Sequence, residues 1–187
     1  MRIITGKARG IKLDTLDGLD TRPTSERTKE AVFSMLQFDI EGREVLDLFA
    51  GSGQMALEAL SRGAAHAYAV DSGKKAISVI TKNAEKCRLK DSCTIVCDVS
   101  SSFLKRHNGA AFDIVFLDPP YASNLIDESI SLLIERNLIK KSSVIICESD
   151  RFDILGVANS EKCDIIKTMK HGVAHISVLK LRGAEEE

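Results

Sequence analysis

No apolar run in this chain approaches the roughly 20 residues that crossing a bilayer takes. The start, Met1-Arg2-Ile3-Ile4-Thr5-Gly6-Lys7, lacks the long apolar core of a secretory leader, so a cytoplasmic location is expected. Close cysteine pairs are missing too. Cys87, Cys93, Cys97, Cys147 and Cys163 are odd in number, and no two are spaced as zinc ligands are. Cys93, Cys97 and Cys147 fall in apolar, strand-like runs and read as buried small hydrophobes kept reduced. His171 and His175 flank Gly172 and Val173 in what reads as a strand or hairpin, so no metal is expected. Net charge is −1, which removes any global electrostatic argument for a nucleic-acid partner. There is no internal repeat, and no low-complexity segment beyond the acidic tail Glu185-Glu186-Glu187.

What is present fits one compact domain. The chain has 187 residues, 44% of them hydrophobic, enough for a sizeable core. Charge is uneven: residues 1–12 hold Arg2, Lys7, Arg9 and Lys12 and no acid. This segment, with a Gly6-to-Gly10 turn between apolar pairs, reads as a basic hairpin suited to phosphates. A helix begins near Arg22-Pro23-Thr24-Ser25, with Thr24 or Ser25 as its cap, and carries Ala31, Val32, Met35 and Leu36 at helical spacing.

From Val45 the pattern becomes strand, turn, helix, repeated. The strands are Val45–Phe49, Ala67–Val70, Cys93–Cys97, Phe112–Leu117 and Ser143–Cys147. Strands this apolar are buried on both faces, which implies a parallel sheet covered by helices. After about residue 162 two strands, Asp164–Met169 and Val173–Leu179, form an antiparallel end. The expected fold is α/β and Rossmann-like. Residues 1–21 form the hairpin arm and 22–187 the core.

Two motifs carry chemistry. Asp47-Leu48-Phe49-Ala50-Gly51-Ser52-Gly53 follows the first strand and opens a helix. Its glycines let backbone approach a ligand, and the helix N-terminus lies beside it. Asp71 ends the second strand, placed for both ribose hydroxyls; Asp98 follows the third, placed for an adenine amine. Their neighbours Ser72 and Val99 join the candidate cofactor site with Phe49, Ala50 and Ser52. Asp47 would repel a dinucleotide's pyrophosphate and attract a methionine ammonium. That favours S-adenosylmethionine, with S-adenosylhomocysteine as product, over NAD.

The second motif is Asp118-Pro119-Pro120-Tyr121, directly after the fourth strand. The prolines fix the backbone and remove two amide donors. An exocyclic amine is a poor nucleophile, because its lone pair is delocalised into the ring. The Asp118 carboxylate and the Pro119 carbonyl can accept its two hydrogens, and Tyr121 can stack on the base. The chemistry so read is methylation of a nucleic-acid amino group.

With these residues in view, the chain resembles class I methyltransferases, and more closely the bacterial 16S rRNA (guanine966-N2) methyltransferase family. The resemblance rests on Arg2–Gly10, Arg22–Arg27, Asp47–Gly53, Leu57–Ala64 and Asp118–Tyr121. It implies a seven-stranded, mostly parallel sheet with an antiparallel last strand. It implies cofactor contacts from Arg22, Pro23 and Thr24. Lys7, Arg9 and Lys12 of the basic arm, together with Arg27, are the candidate RNA contacts. The implied substrate is 16S rRNA in the small ribosomal subunit or its assembly intermediate, met by a monomer away from any membrane. An adenine-N6 methyltransferase and a catalytically silent ribosome-assembly protein are the competing readings.

Overall fold

The computed structural model describes residues 1–16, 26–120 and 124–183. Arg22, Pro23, Thr24 and Tyr121 lie outside the described residues, as do the expected helix caps Thr24 and Ser25.

The chain runs α1 (Glu26–Met35), β1 (Glu44–Asp47), α2 (Gln54–Ser61), β2 (His66–Asp71), α3 (Lys74–Lys86), β3 (Cys93–Cys97), α4 (Ser100–Arg106), β4 (Phe112–Leu117), α5 (Leu125–Glu135), β5 (Ile139–Ser149), α6 (Val157–Ser160), β6 (Cys163–His171) and β7 (Ala174–Leu181). One sheet holds all seven strands in the order β3-β2-β1-β4-β5-β7-β6. β1 to β5 pair in parallel, whereas β7 inserts antiparallel between β5 and β6. This is the expected α/β architecture.

Alternation along the central strands feeds two cores. Val45, Ile114, Phe116 and Ile146 face α1, α2 and α3; Leu46, Leu48, Val115 and Leu117 face α4 and α5. In α3 the buried stripe Ala76, Ile80, Ala84 recurs every fourth residue, which turns one helical face to the sheet. Cys97 departs from expectation: it is exposed, while the other four cysteines are buried. β3 is an edge strand and Cys97 its last residue, at the margin of the sheet beside Ser72.

The order of strands decides where a ligand goes. The chain moves outward from β1 to β2 and β3, then returns to lay β4 on the other side of β1. Loops leaving β1 and β4 therefore diverge, opening a crevice at the carboxyl edge. The two sequence motifs follow those two strands.

Every residue of α2 is buried, because the N-terminal hairpin covers its outer face. Arg2 and Lys12 form a bridge, and Ile3 N–H donates to the Ile11 carbonyl at 3.0 Å. The turn docks on Ser61: Lys7 N–H meets its carbonyl at 2.8 Å and Ala8 N–H its hydroxyl at 2.9 Å. Gly6 has φ +86, and a Cβ there would sit 1.7 Å from the Ser61 carbonyl oxygen. Only glycine permits that approach. The expected hairpin is present, and it packs as a third layer over α2.

Candidate active site at the carboxyl edge of the sheet

The glycine loop is built by turn geometry and by two acids. Gly51 and Gly53 have φ of 53 and 78, a region that side chains disfavour. Gly53 is also close-packed, since a Cβ would lie 3.0 Å from Ile80. As the residue before α2, Gly53 offers no side-chain cap. Asp47 supplies one from β1, its carboxylate accepting the Ala56 N–H at 3.2 Å. Asp47 is only 2% exposed. Burial pushes its carboxyl up to about 7, against the pull of the Ala56 hydrogen bond, and nearby Asp71 adds to the rise.

Asp71 ties the loop to β2. One carboxylate oxygen accepts Gly51 N–H at 2.9 Å, the other Gly73 N–H at 2.8 Å. Asp98 is joined to the same edge by its N–H, which donates to the Asp71 carbonyl at 3.0 Å. Its side chain accepts Val99 N–H at 2.8 Å and pairs with Arg106 of α4. Val99 itself is 54% exposed and offers an apolar surface. Asp47, Asp71 and Asp98 thus end three adjacent strands as a row of acids. Ala50 and Ser52 are buried within the loop, Phe49 packs against the α4/α5 core, and Ser72 is exposed.

Across the crevice, Asp118 follows β4 half-buried, with Pro119 buried and Pro120 exposed. Asp118 lines a recess walled by Val32 of α1, Met55 of α2, Phe116 and Ile146, and shared with Glu148. The structure therefore places the glycine loop and Asp118 on either side of one switch point. Lys7, Arg9, Lys12 and Arg27 lie apart from it, exposed on the hairpin and at the start of α1. None of the four is ion-paired among the described residues.

Several supporting residues escaped the sequence reading. Asn83 of α3, fully buried, donates to the Ser52 carbonyl at 2.9 Å and exchanges hydrogen bonds with the backbone of Asp14. It fixes the loop from behind. Glu58 of α2 is also fully buried and accepts from Ile4 N–H, Thr5 N–H, Arg62 and Lys29. Gln54 Oε1, beside Gly53, is buried with no hydrogen-bond donor among the described residues. A polar residue on a buried stripe was the available signal for Asn83 and Glu58. Glu148, an acid closing an apolar strand just as Asp118 does, was visible in the same way.

The fold is that of a class I methyltransferase. The chain belongs to the family described as conserved hypothetical protein 95, whose model matches residues 1–180. Among its relatives is the ribosomal RNA small subunit methyltransferase D of Haemophilus influenzae, 40% identical over 154 residues, covering 81% of this chain and 79% of the relative. The Bacillus subtilis protein YlbH, named as a candidate rRNA methyltransferase, is 33% identical and spans 98% of this chain and all of its own length. Of solved structures, the candidate methyltransferase yhhF from Escherichia coli aligns at a TM-score of 0.84 with 30% identity, covering 97% of each chain. Among the described residues no helix is long and apolar enough to cross a membrane, and no group of His, Cys, Asp and Glu is set to hold a metal.

Proposed function

We propose that this protein methylates the exocyclic N2 amine of a guanine in 16S ribosomal RNA, using S-adenosylmethionine. The observation that carries the reading is the glycine loop facing Asp118 across the β1/β4 switch point. The donor set fits the cofactor. Three acids end β1, β2 and β3, no Lys or Arg lies in residues 47–53, and Gln54 offers a buried acceptor. A pyrophosphate would meet repulsion there; an ammonium and ribose hydroxyls meet acceptors. The names of the relatives support ribosomal RNA as the substrate.

S-adenosylmethionine supplies an electrophilic methyl group on a sulfonium. Asp47 would hold its ammonium, Asp71 its ribose, and Asp98 with Val99 its adenine; Gly51 and Gly53 would let it approach the loop, with Phe49, Ala50, Ser52 and Ser72 completing the wall. Arg22, Pro23 and Thr24 are assigned by motif to the same ligand. Asp118 and the Pro119 carbonyl accept hydrogens of the target amine, Pro120 holds that turn rigid, and Tyr121 stacks on the base. Asp118 would take up the proton that N2 sheds when the methyl group leaves the sulfonium for that nitrogen and the thioether S-adenosylhomocysteine departs. Catalysis is then positioning and fixed electrostatics. The protein acts as a monomer in the cytoplasm, on the small subunit or its assembly intermediate. Mass spectrometry of 16S rRNA from cells with and without the gene tests this: one N2-methylguanine disappears on deletion. An unchanged methylation map would overturn the assignment.

Asp47 makes the site sensitive to pH. Its folded carboxyl is raised, so the folded state holds a proton that the unfolded chain has released. That stability is fully present below about pH 4 and is lost as pH rises to about 7. Asp47→Asn keeps an acceptor for Ala56 N–H and cannot ionise. It should melt several degrees above the parent at pH 8 and by less at pH 5, while binding S-adenosylmethionine about tenfold more weakly at pH 8. Thermal scans and calorimetry at both pH values read this; equal affinity would remove Asp47 from the ammonium.

The hairpin supplies phosphate contacts. Replacing Lys7, Arg9 and Lys12 with alanine should weaken RNA binding and flatten the slope of log K against log salt by about 2 to 3 units. Cofactor affinity should not move. An unchanged slope would reduce the hairpin to a structural layer over α2.

A further inference from the structure

The recess beside the glycine loop contains one acid to which the mechanism above gives no role. β4 and β5 run parallel with Leu117 opposite Cys147, so Asp118 and Glu148 are the next residues on neighbouring strands. Period-two alternation turns both to the same face, one pleat beyond buried Phe116 and Ile146. β7 extends this row, with Ile176 opposite Glu148. The two residues therefore stand on neighbouring strands, whose backbones run about 4.8 Å apart, and both line the same largely apolar recess.

A planar base seated in that recess is read by what its edge offers to two acceptors. Guanine presents N1–H and the N2 amine next to each other. Adenine, 2-aminopurine and cytosine present a ring nitrogen lone pair where guanine has N1–H or its equivalent. A carboxylate facing that lone pair is repelled, so the same group that attracts guanine rejects the others.

We propose that Glu148 is the residue that selects guanine, accepting N1–H while Asp118 accepts from the N2 amine. The proposal rests on the guanine-N2 reading and adds to it a named discriminator. Asp118 serves the reacting nitrogen, whereas Glu148 contacts only the identity of the base. Truncating Asp118 must slow every substrate; changing Glu148 must alter the ratio between substrates.

The test compares small-subunit RNA carrying guanine or 2-aminopurine at the methylated position. The analogue keeps the N2 amine and replaces N1–H with a lone pair. The parent should favour guanine by at least about tenfold in kcat/KM. Glu148→Gln can donate its NH2 to the N1 lone pair of 2-aminopurine, and its oxygen meets guanine N1–H only as a weaker, uncharged acceptor. It should lose on the order of tenfold to a hundredfold on guanine and hold or gain on 2-aminopurine, so that the preference collapses. Glu148→Asp should keep the preference at a lower rate. Melting temperatures and S-adenosylhomocysteine affinity, measured beside the rates, separate a change of selectivity from a loss of fold. Equal losses on the two RNAs, or a guanine preference that survives Glu148→Gln, would overturn the role of Glu148 alone. A parent methyl group mapped away from N2 would overturn the guanine-N2 reading, and the proposal with it.

Discussion

Asp118→Ala should fold, bind S-adenosylmethionine normally, and lose about a hundred- to a thousandfold in single-turnover methylation. The residue lies one position beyond β4, half-buried in the recess, while the core positions before it are the apolar Phe116 and Leu117. Removing its carboxylate opens no core cavity. In the proposed mechanism it removes a preorganised acceptor from the edge where positive charge grows on the attacking nitrogen. In water such an acceptor would be worth little, but apolar walls on the α1 and α2 side strengthen it. The rigid Pro119-Pro120 backbone means no reorganisation is spent at the moment of transfer. Asp118→Asn should fall between, since its amide oxygen still accepts one hydrogen bond. Single-turnover rates measured beside melting temperatures separate chemistry from folding. A stable Asp118→Ala protein with near-parental turnover would remove the residue from catalysis. A variant that melts early yet turns over normally per folded molecule would make Asp118 structural.

The parts of the fold legible in the sequence were those governed by local pattern. β1, β2 and β4 show as apolar runs because both faces are covered, and the glycine loop shows because its φ values demand glycine. β5 was legible only in its second half. It begins at Ile139, yet Lys140 and Lys141 are exposed and interrupt the apolar run. What makes them strand is a register shift against β4 between Phe112 and Ile114. There the Ser143 hydroxyl donates to the Phe112 carbonyl at 2.6 Å and Lys140 reaches Asp113 at 3.0 Å. No pattern within the segment announces such a partner. Cys97 shows the converse: an apolar run implied burial, and the edge position of β3 denied it.

At the site the same division holds. Asp47, Asp71, Asp98 and Asp118 were legible because each closes a strand, and strand ends are where α/β sheets meet ligands. The partners that hold them were not. Asp98 pairs with Arg106 eight residues on, and Asn83 reaches the Ser52 carbonyl across 31 residues. Lys29 and Glu58 read as surface letters on amphipathic helices. They are buried because the hairpin, distant in sequence, lies over both.

That buried pair sets the largest stability effect we expect. Lys29 and Glu58 are both fully buried, 3.2 Å apart. Burial lowers the Lys29 ammonium below its ordinary value, and Glu58 opposes the shift. The Lys29 ammonium also donates to the Arg2 carbonyl at 2.5 Å. Glu58 accepts Ile4 N–H at 2.8 Å, Thr5 N–H at 3.0 Å and Arg62 at 2.9 Å. Glu58→Ala would leave an ammonium uncompensated in the interior and two backbone donors unpaired. Breaking a buried pair from one side costs about 3–5 kcal/mol, which in a domain of this size lowers the melting temperature by roughly 6–20 °C. The double variant Lys29→Met with Glu58→Leu removes both charges and fills the space, so it should melt above Glu58→Ala despite carrying two changes. That non-additivity distinguishes an electrostatic clamp from ordinary packing loss, in which two truncations add. The hairpin should loosen with the clamp, so RNA affinity in Glu58→Ala should fall even at temperatures where the core stays folded. Amide exchange at Ile4 and Thr5 would report that release directly. A Glu58→Ala protein melting within two degrees of the parent, with Ile4 and Thr5 still protected, would mean that Ser61 and the apolar contacts of Ile3 hold the hairpin without the buried pair.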